Sequence, residues 1–224
     1  MEADERIQYA IEHTEVLRAP AQRLSTFGST NVYYYLVTEL TEWVNVVREG
    51  RVVAARPKIV TPSYLINLEG FSPQARRFIG MMAERDPHEP GIFYTYRNEP
   101  REMNIASEPV EEIVDKINRR IDSEHDPLTA IIKGIEGLWD VSLLKFTYEL
   151  TRSSVQSNVA ELERSGLLNV DSAGVPRDAR NHIEELFEKT KRNLSLAPEL
   201  VAELRRWSLF HEYQDRFLSL FRKR

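Results

Sequence analysis

Apolar positions open the chain at helical spacing: Ile7, Ala10, Ile11, Thr14 and Leu17 share one face, which predicts a helix over about residues 3 to 17, stopped by Pro20. After LSTFGST the period falls to two. In NVYYYLVTEL, Val32, Tyr34 and Leu36 point one way and Tyr33, Tyr35 and Val37 the other, so this strand is expected to be covered on both faces. The near-symmetric VVREGRVV places Glu49 and Gly50 between two β-branched runs and reads as a hairpin turn. Pro57 and Pro62 lack a ladder donor, so the segment after the hairpin belongs at a sheet edge or outside the sheet. Ser72 and Pro73 start a short helix carrying Ala75, Phe78, Ile79 and Met82. GIFYTYRN alternates again, and NEPRE reads as a turn into EMNIAS. Residues 30 to 107 thus predict a meander of about five strands with one inserted helix.

From there the pattern turns helical. Ser107 caps a helix with Val110, Ile113, Val114, Ile117 and Ile121 on one side, and Asp126-Pro127 opens another with Leu128, Ile131, Ile132, Ile135 and Leu138. VSLLKFTYELT predicts a central helix. A long one runs from about Pro198 to the end, with Leu200, Leu204, Trp207, Phe210, Tyr213, Phe217 and Phe221 as its stripe. The expected class is α+β: an N-terminal helix and a small, mainly antiparallel sheet, then an all-helical C-terminal half. The division expected is 1–107 and 108–224, as two regions or one continuous domain.

One stretch points at a partner. ELTRSSVQSNVAELERSGLLNVDSAGV, within residues 142 to 178, resembles the second half of a winged helix-turn-helix as found in many small bacterial transcription regulators. Ser153 and Gln156 suit a capping box, and Val155, Val159 and Leu162 suit a buried face. Gly166 ends the helix, and LLNVDSAGV suits a two-stranded wing. The resemblance implies a helix-turn-helix-like unit in which Gln156, Ser157 and Asn158, with Arg152 beside them, contact DNA. Residues 152 to 178 carry a net charge of −1, including Glu161 and Glu163 on the same helix. DNA affinity rests on lysine and arginine neutralising phosphates, so this balance favours packing or protein contact over DNA.

Composition narrows the classes. The 224 residues include 42% hydrophobic and 29% charged side chains, enough apolar surface for a folded core. There is no cysteine, which excludes disulfides, thiolate nucleophiles and thiolate zinc sites. The acidic, amphipathic start does not resemble a secretory signal, and no window approaches about 18 uninterrupted apolar residues, so a cytoplasmic, non-membrane protein is expected. The formal charge of −5 is uneven: −7 over residues 1 to 140, −1 over 141 to 178 and +3 over 179 to 224.

Candidate chemistry is sparse. His13, His88, His125, His182 and His211 fall in separate segments, and His211 with Asp215 is the nearest approach to a ligand pair, so neither a metal nor another cofactor is expected. STFGSTNV lacks the lysine and following helix of a phosphate loop. Tyr34, Arg56, Tyr94, Tyr96 and Arg97 can converge on one sheet face as a small-anion site, or an enzyme's substrate site. No nucleophile stands with a base and its orienting group. The leading reading is therefore a non-enzymatic interaction or regulatory protein whose partner is a protein, another copy of itself in the first instance, docking through Trp207, Phe210, Phe217 and Phe221. A DNA-binding regulator and the anion binder follow as alternatives.

Overall fold

The computed structural model describes residues 3–69, 72–85 and 87–222. The fold is α+β, with seven strands and eight α-helices among the described residues. Two compact units divide the chain, and both are discontinuous: residues 1–57 with 94–158, and residues 58–93 with 159–224. The units are therefore interleaved, where a division at residue 107 was expected. No helix among the described residues is long and apolar enough to cross a membrane.

The first unit is a mixed five-stranded sheet between helices. Its strands are β1 (Glu15–Arg18), β2 (Thr30–Thr41), β3 (Val44–Ala54), β6 (Tyr96–Ala106) and β7 (Thr129–Ile135), in the order β1-β7-β2-β3-β6. Strands β2 and β7 are parallel and all other neighbours antiparallel. The alternation along β2 sets the layers. Val32, Tyr34 and Leu36 face a core completed by Leu143 and Phe146 of helix α5 (Trp139–Arg164), while Tyr35 and Val37 face Ile113, Ile117 and Ile121 of α4 (Val110–Glu124). The two-sided cover expected for β2 is thus present.

Several elements differ from the periodicity reading, each for a local reason. The first helix, α1, is Ala3–Glu12 and gives way to β1. Residues 129–135 are a strand: Ile131 and Ile132 are both fully buried in mid-sheet, and a short apolar run buried on both faces has no period that tells strand from helix. The β2–β3 turn falls at Glu42 and Trp43, so Glu49 and Gly50 lie inside β3. NEPRE is likewise strand, with a register shift opposite Glu49 and Gly50 that leaves Arg101 as the extra residue of a bulge.

The second unit holds the two-stranded pair β4 (Lys58–Val60) and β5 (Gly91–Phe93) and five helices: α2 (Pro62–Ile66), α3 (Pro73–Arg85), α6 (Arg177–Arg192), α7 (Ala197–Arg206) and α8 (Phe210–Ser219). The chain of α5 passes into this unit from Val159. Helix α6, for which the sequence reading gave no element, buries Ala179, Ile183, Leu186, Phe187 and Thr190 at i, i+4, i+7, i+8 and i+11. Val175, Leu200, Leu204 and Trp207 pack with them.

The long final helix is two helices. Ser208 takes a left-handed conformation (φ 60°), its N–H donates to Arg205 O (2.9 Å), and Leu209 N–H reaches Leu204 O (2.7 Å). This is a Schellman end, closed by the apolar contact expected between Leu209 and the turn before it. Gly166 (φ 64°) ends α5 by the same pair of bonds, Gly166 N–H to Glu163 O and Leu167 N–H to Leu162 O. A glycine announces such an end; a serine does not.

Candidate functional site

Residues 142 to 164 lie within one continuous helix, so the turn expected between two helices of a helix-turn-helix is absent. The inward line of α5 is Leu143, Phe146, Ser154, Asn158 and Leu162, all buried, with Leu150 partly buried among them, rotated from the Val155, Val159, Leu162 face expected. Small polar side chains occupy that line because they bond inward. Ser154 Oγ accepts from Leu24 N–H (3.1 Å), and Asn158 Nδ2 donates to Tyr94 Oη (2.9 Å). Asn158 is 2% exposed, Ser157 half-buried, and only Arg152 and Gln156 of the four residues assigned to DNA stand open.

The wing segment does form a turn. Val170 bridges Pro176, and Asp171 accepts from Ala173 N–H (2.8 Å), Val175 N–H (3.0 Å) and Arg180 Nε (2.8 Å). Burial raises the Asp171 carboxyl, but Val175, Arg180 and Ala173 together hold it below its usual range. Asp171→Ala removes all three bonds and is expected to lower stability by about 2 kcal/mol in a urea titration, while Asp171→Asn, which keeps the acceptor oxygen, should recover more than half of it.

The tyrosines expected to bind an anion are engaged within the first unit. Tyr34 packs across Gly50 and donates to Asn98 Oδ1 (3.0 Å); Tyr94 is held by Asn158; Tyr96 Oη meets Thr151 Oγ1 of α5. Burial raises the pKa of all three phenols. Arg97 pairs with Glu99 (2.5 Å), which Arg51 also holds (2.5 Å), and Arg56 is half-buried. The Tyr34 bond ties β6 to β2, and the Tyr94 and Tyr96 bonds tie their segment to α5.

The opposite face of the same strands carries an open cleft. About 240 Å³ lies over Tyr33 and Tyr35, bounded by Arg101 of the bulge, Arg120 of α4, Glu124 and Asp126. Arg101 stacks over Tyr33 (6.0 Å) and Arg120 over Tyr35 (5.6 Å). Arg120 bonds Glu124 (3.0 Å) and lies 3.6 Å from Glu49. Arg101 and the tyrosines at 33 to 35 stand out in the sequence as polar and aromatic, but the bulge that turns Arg101 toward Tyr33 leaves no periodic mark there. A wider crevice of about 660 Å³ lies at the carboxyl ends of β2 and β7, beside His13, Glu15 and Glu39. Its inner charges are internally paired, Lys133 with Glu39 (3.0 Å) and Glu136 with Arg48 (2.5 Å).

In the second unit, Glu203 of α7 is 3% exposed and takes bonds from Lys58 (2.8 Å), Tyr64 Oη (3.2 Å) and Trp207 Nε1 (3.2 Å). Burial lifts its carboxyl and lowers Lys58, but the contact between them outweighs both effects, leaving Glu203 below and Lys58 above its ordinary value. His182 is pushed down by burial and by Lys58. Trp207 is thus an internal residue, and Phe210 and Phe217 lie partly buried against the same core. Phe221 remains 49% exposed and Leu218 48%. Phe217, whose ring Phe221 meets at 5.3 Å, lines with Ala197, Pro198, Val201 and Ala202 a groove of about 500 Å³, with Glu69 and Arg205 also on its walls. Among the described residues no group of three His, Asp or Glu side chains is placed to hold a metal ion.

No protein-family model matches the chain, and no curated protein and no solved structure matches it significantly.

Proposed function

We propose that the chain is a non-enzymatic interaction protein that associates with a second copy of itself through α7 and α8. One observation carries this reading: a groove floored by small residues on α7 is walled by Phe217 of α8, and the half-exposed Phe221, just past the end of α8, meets that ring edge-on at 5.3 Å. A knob and a hollow on one patch suit an isologous pairing, in which each copy fills the other's groove. The charges on the groove walls are also self-complementary, since Glu69 of one copy can meet Arg205 of the other. In support, the aromatic stripe is divided: Trp207, Phe210 and Phe217 close their own unit, which leaves the distal end for a partner.

Burying the exposed half of Leu218 and Phe221 contributes roughly 1 kcal/mol each, counted twice in a symmetric pair. Substituting both by serine is therefore expected to weaken dimerisation at least tenfold in size-exclusion chromatography with light scattering, with helical circular dichroism unchanged. An unchanged dimer in that variant would place the contact elsewhere.

A further inference from the structure

We infer that the cleft over Tyr33 and Tyr35 binds a small zwitterion, a molecule carrying one carboxylate and one ammonium. Its volume of about 240 Å³ has room for a small free amino acid. The polarity of its walls runs across the sheet. Arg101 enters from β6, two strands to one side of Tyr33, and no carboxylate among the described residues pairs with it. Glu124 and Asp126 enter from the other side, where α4 ends and β7 begins.

The acidic end is favourable for a cation beyond its two carboxylates, because the C-terminus of a helix such as α4 carries a partial negative charge. Asp126 uses one oxygen to take Leu128 N–H (2.8 Å), and the other has no partner among the described residues. Between the two ends the floor is aromatic, a surface that holds an alkyl segment or the flank of an ammonium. An anion alone would meet three carboxylates, Glu49, Glu124 and Asp126; a cation alone would meet two guanidiniums. A ligand with both charges satisfies each end. The β6 bulge is the built feature. Pro100 and Gly50 interrupt an otherwise regular ladder, and the extra residue that results is Arg101.

Isothermal titration and thermal shift on the full chain test this with glycine, L-alanine, β-alanine and γ-aminobutyrate, using acetate and methylammonium as half-ligands. At least one zwitterion is expected to bind with a Kd of about a millimolar or below, tenfold or more tighter than either half. Arg101→Gln and Asp126→Asn should each weaken it at least tenfold with the ligand-free melting temperature unchanged. The site is refuted if none of the four binds, if acetate binds as tightly as the best of them, or if Arg101→Gln binds it normally. The second unit's self-association is measured separately, so either idea can fail alone.

Discussion

Gly134→Ala is expected to destabilise the first unit by about 3 kcal/mol, measured by urea unfolding. Replacing glycine by alanine inside a strand ordinarily stabilises by about 0.5–1 kcal/mol, so the sign itself is diagnostic. A Cβ at Gly134 would stand 2.6 Å from Ser142 Oγ and 2.8 Å from Ser142 Cβ. Ser142 cannot step aside: it is fully buried, and Thr14 donates to its oxygen (2.7 Å). Overpacking contributes about 1–3 kcal/mol and a broken buried hydrogen bond about 1–2 kcal/mol more. Adding Ser142→Gly removes the clash, and the double variant should regain at least half of the loss. A loss below about 1 kcal/mol in the single variant would mean that α5 does not approach β7 this closely.

Glu203→Gln is the second large effect. It keeps the shape of the side chain but leaves Lys58 without its counter-charge. Breaking a buried pair on one side costs about 3–5 kcal/mol, and because Lys58 is about one-third exposed the expected loss lies near 2–3 kcal/mol. The pH dependence follows from the directions of the two shifts. Glu203 is held below the ordinary carboxylate range, so its contribution is complete above that range and drains away as pH falls through the folded value. Lys58 is held above its ordinary value, so its contribution is complete at neutral pH and is lost only in strong alkali. The stability advantage of wild type over Glu203→Gln should therefore be flat near neutrality and shrink in acid. An advantage that grows on acidification would contradict the pairing.

How much of this was legible depends on what each residue faces. Strand β2 could be read because both of its faces bury apolar side chains at period two, and α4 because Val110, Ile113, Ile117 and Ile121 form a single stripe. Strand β7 could not, since burial on both faces erases periodicity. The hairpin reading at Glu49-Gly50 failed because that glycine gives Tyr34 room to cross β3; a Cβ there would come within 2.6 Å of Tyr34 Cζ. In α5, Asn158, one of the polar residues that suggested base reading, is polar because Tyr94 bonds to it from inside, as Leu24 N–H bonds to Ser154. The break at Ser208 rests on a left-handed serine, and the interleaving of the units on long-range packing, and neither leaves a local signature.

The same holds for the cleft. Tyrosine and arginine are abundant on β2 and β6, and composition alone suggested a polar face; which face depends on register. With the turn at Glu42-Trp43 and a bulge at Arg101, Tyr34 and Tyr96 join the α5 side and Tyr33 and Tyr35 the α4 side.

Self-association through α7 and α8 is tested most directly by sedimentation equilibrium of the full chain from about 1 to 100 µM. The expected result is a weight-average mass that climbs from one chain towards two and stays near one chain in the Leu218→Ser, Phe221→Ser variant. A mass that remains at one chain throughout for the wild-type protein would contradict it.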